Sequence, residues 1–242
     1  MKKLSYIFIS ILVFLSIQSC TSTKIVIDSF TPLVPLTVVS NSSILWQTKE
    51  SDLETEQNDG LISSAMNKLL FQNDIETTSV QNRIECIYES INNSFSSILG
   101  IEILPYTELM NSRTYNSASD AFFGSWAYQT KLDDTKLLSY SNSKQNRMIL
   151  QELGAKSGLF ANFKFEKRIQ SGYLDNGRVV LCITVEFVLV NENGKILKRK
   201  EIYAESDKSI EIKNSIYDKV LLVDMAKDTI AIAVNKFAIS LL

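Results

Sequence analysis

Leu159-Phe160-Ala161-Asn162-Phe163-Lys164-Phe165-Glu166-Lys167-Arg168-Ile169 sets apolar against polar side chains at the two-residue period of a strand. Leu159, Ala161, Phe163, Phe165 and Ile169 share one face, while Asn162, Lys164, Glu166 and Arg168 share the other. Asp175-Asn176-Gly177 then supplies a turn. Val179, Leu181, Ile183, Val185, Phe187 and Leu189 repeat the inward pattern on a second strand that runs to Val190. Asn193-Gly194 turns the chain again, and Lys195 to Glu205 reads as a charged, edge-like third strand. The stretch predicts a three-stranded antiparallel meander.

Helices flank it. Downstream, Asp218 to Leu242 carries a core stripe of Val223, Ala226, Ile230, Ala233, Phe237 and Leu241, with Asp224, Lys227 and Asp228 outside it. Upstream, Asn142 or Ser143 caps a helix to Leu153 that ends at Gly154. Further upstream, Val80, Ile84, Ile87, Ile91, Phe95 and Ile98 recur at steps of three and four, with Gly100 at the cap position. Ile101 to Leu104 reads as a short buried strand, and Pro105 and Thr107 open a turn or short helix through Met110.

Nearer the N-terminus, Ile25-Val26-Ile27 and Leu33 to Val39 are β-branched runs, with Pro35 at a strand start or an edge. Ser43 to Gln47 continues or pairs with them. Residues 48 to 60 read as an exposed acidic loop, and Leu61 to Phe71 as a helix. Residues 111 to 142 form an irregular segment holding Phe122, Phe123, Trp126 and Tyr128. That aromatic cluster is a ligand or partner surface, a flap packed onto the domain, or a helix whose apolar side is buried. The expected fold class is α/β: a layered sheet with a C-terminal antiparallel meander and packing helices.

Gln151-Glu152-Leu153-Gly154-Ala155 leads through Ser157-Gly158 into a strand, and a hairpin with the turn Asn191 to Lys195 and a terminal helix follow. This order resembles the α/β domain of the curli-secretion lipoprotein (CsgG) and the TolB amino-terminal domain. Lys156 stands where that family carries aspartate, and no pair of bilayer-spanning hairpins is visible. The order is also similar to that of periplasmic lipoproteins of gut-type Bacteroidetes.

The first residues point to a location. Lys2 and Lys3 precede an apolar core, Tyr6 to Ile17, which is shorter than the about 20 residues needed to cross a bilayer. Ile17-Gln18-Ser19-Cys20 closes it and resembles the lipobox of bacterial lipoproteins. An ordinary cleaved signal and a retained anchor are the competing readings. The resemblance implies that signal peptidase recognises Ile17, Gln18 and Ser19, and that Cys20 is diacylated and becomes the first residue. Thr21-Ser22-Thr23-Lys24 lacks an aspartate after the cysteine. By resemblance to enterobacterial sorting, that implies the periplasmic face of the outer membrane. The expected organisation is a leader over 1–19, lipidated Cys20 with tether and first strand over 20–35, and one α/β domain over 36–242.

Composition narrows the chemistry. The 242 residues include no histidine, and 25 Lys+Arg against 27 Asp+Glu give a net charge of −2. Without histidine there is no Ser-His-Asp or Cys-His catalysis and no imidazole metal site. No basic stripe is visible, so neither nucleic acid nor an anionic lipid surface is an expected partner. Once Cys20 is lipidated, Cys86 and Cys182 are either a possible disulfide or two separate buried thiols. Ser141-Asn142-Ser143-Lys144 and Lys156-Ser157-Gly158 match motifs of penicillin-binding enzymes, but lie too close together for that fold. Asp133-Asp134 and Asp224/Asp228 read as solvated surface rather than acid–base pairs.

No catalytic residue, metal or cofactor is therefore expected. The leading expectation is a lipid-anchored periplasmic module, bound to lipid through Cys20, that binds an envelope protein or joins an assembly. Two alternatives are a subunit of an outer-membrane secretion complex related to curli export and a carboxylate-based hydrolase of envelope glycans.

Overall fold

The computed structural model describes residues 29–47, 74–121, 126 and 129–242. Two strands, β4 (Ser157–Gly172) and β5 (Asn176–Asn191), form a hairpin of 16 residues a side, paired from Ser157↔Asn191 to Gly172↔Gly177. The side chains alternate as the sequence predicts, which places Leu159, Ala161, Phe163 and Phe165 beside Leu181, Ile183, Val185 and Phe187 in one core.

Around this hairpin the sheet grows on both edges. β1 (Leu33–Ser40) runs parallel to β4, and the short β2 (Leu45–Trp46) continues along the same edge opposite Glu166 and Lys167. β3 (Thr130–Lys131) closes on the end of β1. β6 (Ile196–Glu205) and then β7 (Ile210–Lys213) pair along the other side of β5. The described sheet has seven strands, in the order β3-β1-β4-β5-β6 along its main path. Pro35, which has no N–H to donate, sits at the register shift of β1 and outside the stretch that β3 covers.

Helices occupy both faces. α1 (Ile75–Thr78) leads into α2 (Val80–Leu99), which packs with α6 (Lys219–Ile239) over the first core. Phe187 and Phe237 stack there with ring centroids 4.3 Å apart. α2 ends at Gly100, whose φ of 68° is the left-handed cap that the stripe of Val80 to Ile98 requires. On the opposite face lie α3 (Tyr106–Asn111), α4 (Arg113–Ser117) and α5 (Ser143–Leu153). They bury Val34, Leu36, Phe160, Val188 and Val190 in a second core. The fold is a layered α/β arrangement with helices on both faces of a mixed sheet.

Several expectations shift. Leu33 and Val34 are fully buried, one in each core, and Phe30 is buried too. The division after residue 35 therefore cuts through β1, and the domain begins before it. Ile101 to Leu104 contributes one bridge, Leu33↔Ile103, rather than a strand. β7 extends the meander by a strand too short to announce itself. Within 111–142, the described part is sewn down: Tyr115 Oη accepts the Lys136 amide at 2.5 Å, and Thr37 Oγ1 accepts that of Leu138 at 3.0 Å. The expected strand at 25–27, loop at 48–60 and helix at 61–71 lie outside the described residues.

Candidate interaction surfaces

The helices of the second face cover only the part of the sheet nearest the start of β4. Beyond them the face is polar, because Asn162, Lys164, Glu166 and Arg168 all point that way. Lys164 Nζ lies 2.6 Å from Glu166 Oε1. Arg168 Nη2 donates to both oxygens of Glu205 at 2.7 Å, and this hydrogen bonding holds the guanidinium above its ordinary pKa. The Tyr203 hydroxyl shares its proton between Glu205 Oε2 at 3.1 Å and Cys182 Sγ at 3.2 Å. Glu186 accepts from Trp126 Nε1 at 3.0 Å and pairs with Arg199, whose guanidinium lies 5.5 Å from the Tyr140 ring centre. Glu166, Glu186 and Glu205 are thus each matched by a cation. Glu201, opposite Glu186 on β6, is exposed and makes no ion pair among the described residues.

At the far end of the sheet, two cations are buried. Lys167 and Glu76 pair with only 5 % and 4 % of their surfaces exposed. Tyr217 donates its hydroxyl to Glu76 at 2.6 Å, and Lys167 Nζ lies 5.2 Å from the Trp46 ring and 5.3 Å from that of Tyr217. Arg83 Nη1 donates to the Glu76 carbonyl and to Ser79 Oγ, both at 2.6 Å, while Nη2 reaches the Ser42 carbonyl at 3.0 Å. Burial lowers the Arg83 pKa to about 10. These groups clamp β1, β2, α1 and α6 together, and neither cation is open to a substrate.

At the opposite end, Ser143, Lys144 and Arg147 of α5 meet Asn193 and Lys195 of the β5–β6 turn around a groove of about 570 Å³. Gly194 makes this contact possible: its φ is 70°, and a Cβ there would lie 2.2 Å from the Ser143 carbonyl oxygen.

The residues singled out in the sequence fare differently. Ile17, Gln18, Ser19 and Cys20 lie outside the described residues, as do Phe122, Phe123 and Tyr128. Trp126 is 6 % exposed and packs edge-on to Tyr140 at 5.4 Å, so its ring is part of the second core and not a partner surface. The possible disulfide is also corrected. Cys86 packs from α2 into the first core, whereas Cys182 points to the other face beneath Tyr203, and both are free thiols.

Ser157 is fully buried and donates to the Phe30 carbonyl at 2.6 Å, while Lys156 pairs with Glu192. Ser157 is therefore no accessible nucleophile, and the Ser141 hydroxyl bonds to that of Ser139 at 2.8 Å. Asp133, Asp134, Asp224 and Asp228 are exposed. Among the described residues, no three Cys, Asp or Glu side chains gather as a metal-ligand set, and no helix is long and apolar enough to cross a membrane. The groove cations were missed in the sequence because Lys144 and Lys195 are distant along the chain. A loop Gly between Asn193 and Lys195 was the available signal.

No family model matches the chain, and no curated protein matches it. Among solved structures it is similar to a candidate lipoprotein from Caulobacter crescentus CB15, at 16% identity and a TM-score of 0.22. That likeness covers 33% of this chain and 63% of the other. At this score it carries no argument about fold or function.

Proposed function

We propose that the chain is a lipid-anchored envelope protein whose folded domain binds another envelope component without catalysing a reaction. One observation carries the anchor: the apolar run Tyr6 to Ile17 ends in Gln18-Ser19-Cys20. One acyl chain holds a protein only marginally, at about 0.8 kcal/mol per buried CH₂, whereas two or three hold it stably. Cys20 is thus the residue on which location depends, and the periplasmic face of the outer membrane is the address that the tether favours.

The binding reading is supported by the half-covered sheet. Lys164, Glu201 and Tyr203 stand exposed on the sheet, next to a region of the same face sealed by α5 and Trp126. Such a surface suits a protein partner, with Tyr203 as the largest exposed ring on it. The test is fractionation of cells expressing Cys20→Ala. The expected result is release from the membrane to the soluble fraction. Membrane retention of that variant, with the leader removed, would overturn the anchor.

A further inference from the structure

Lys144, Arg147 and Lys195 converge on the groove between α5 and the β5–β6 turn, and no carboxylate lines it. None of the three makes an ion pair among the described residues. Their spacing is held by backbone. Gly194 seats the turn directly on Ser143, Asn191 Oδ1 accepts the Asn193 and Lys195 amides at 3.0 Å each, and Asn142 Oδ1 caps the helix through Gln145 at 3.2 Å. Three unpaired cations carried on a backbone held this way attract an oxyanion, in a chain whose overall charge is −2.

The place of the groove in the fold narrows the source of that anion. Leu33, Ser157 and Asn191 lie in one row across β1, β4 and β5. The turn is therefore about 10 Å from Leu33 at the usual strand spacing. Phe30 joins the fold at this same end, its carbonyl accepting from Ser157 Oγ at 2.6 Å. Cys20 is nine residues before Ser29, at most about 30 Å of chain. Met148, which follows Arg147, and Ile196 and Leu197, which follow Lys195, are exposed. Basic side chains flanked by exposed apolar ones form the composition of a surface that rests on a bilayer.

We infer that this groove holds the phosphate of an anionic phospholipid headgroup in the membrane that carries the anchor. The inference rests on the lipid-anchor reading and adds an orientation to it: α5 and the β5–β6 turn face the bilayer, and the Tyr217 end faces away. It departs from the expectation that an anionic lipid surface is not a partner, since Lys195 joins Lys144 and Arg147 only in the fold.

The test uses the acylated full-length protein in nanodiscs of phosphatidylcholine alone and in discs that also contain phosphatidylglycerol. Hydrogen exchange is read at Asn193, Gly194 and Lys195. Phosphatidylglycerol is expected to slow exchange there, by roughly fivefold for each cation engaged. Combined Lys144→Gln, Arg147→Gln and Lys195→Gln should abolish the slowing, with the unfolding midpoint unchanged because these side chains are exposed and unpaired. Equal exchange in the two discs overturns the proposal. Equal slowing by inorganic phosphate added to phosphatidylcholine discs overturns the headgroup as source and assigns the groove to a soluble phosphate. Failure to enter either disc instead overturns the anchor reading.

Discussion

Lys167 and Glu76, 91 positions apart in sequence, form an ion pair nearly sealed from solvent, under the rings of Trp46 and Tyr217. Burial pushes the Lys167 ammonium below its ordinary pKa, and the Glu76 carboxylate opposes that shift. A pair of this kind contributes little net stability but is costly to break. Glu76→Gln, which leaves Lys167 charged and buried, should cost about 3–5 kcal/mol. Glu76→Leu combined with Lys167→Met should cost far less than Glu76→Gln alone. Urea unfolding followed by tryptophan fluorescence measures both, and a double variant no more stable than Glu76→Gln would refute the account.

A carboxylate at the surface gives a pH-dependent contribution. Glu152, in the last turn of α5, accepts Ser112 Oγ at 2.9 Å and the amides of Arg113 and Thr114 at 2.8 and 2.9 Å, so it caps α4 from outside. Hydrogen bonds, first that from the Thr114 side chain, hold its pKa at about 2 against an ordinary 4.5. A depressed folded-state pKa means stabilisation that is present above pH 4.5 and lost as pH falls toward about 2. Glu152→Gln should therefore lower Tm at neutral pH, and the gap to the parent protein should shrink across that window. A gap that is constant with pH would sink the prediction.

How far the sequence could be read follows from the reach of each interaction. The period-two rows of β4 and β5 and the stripe of α2 are local, and the residues they mark as inward all lie in or against the first core. Lys167 shows the limit. It breaks the inward row between Phe165 and Ile169, a signal visible in sequence, but its partner Glu76 comes from a distant short helix that no periodicity announces. The same holds for the groove, where Lys144 and Lys195 meet only because Gly194 lets two backbones touch. Val180, Val188 and Val190, on the nominally outward row of β5, are fully buried. Two-sided burial of a central strand erases the alternation that would report it.

The thiols make a covalent prediction. Cys86 and Cys182 lie on opposite sides of the sheet, and burial raises the pKa of both. Under oxidising conditions the folded protein should form no Cys86–Cys182 bond. Cys182, fully buried beneath Tyr203, should react with a thiol reagent only after unfolding. Peptide mapping without reductant decides it, since a crosslinked Cys86–Cys182 peptide from native protein would contradict this topology.

Gly194 offers the sharpest test of how the groove is built. Two independent features forbid a side chain there: a φ of 70°, and a Ser143 carbonyl oxygen 2.2 Å from where a Cβ would stand. The first costs about 1 kcal/mol for a non-glycine residue. The second cannot be relieved by a rotamer change, because the obstacle is backbone, so either the turn or the start of α5 must move. Gly194→Ala should therefore cost more than Gly100→Ala, where φ is 68° but nothing lies within 4 Å of the new Cβ. The difference between the two variants isolates the contact from the strain. In Gly194→Ala, exchange at the Gln145 amide, which Asn142 caps, should also rise as the helix start is displaced. Equal losses for the two glycines, with no change at Gln145, would show that the turn does not rest on the helix as described.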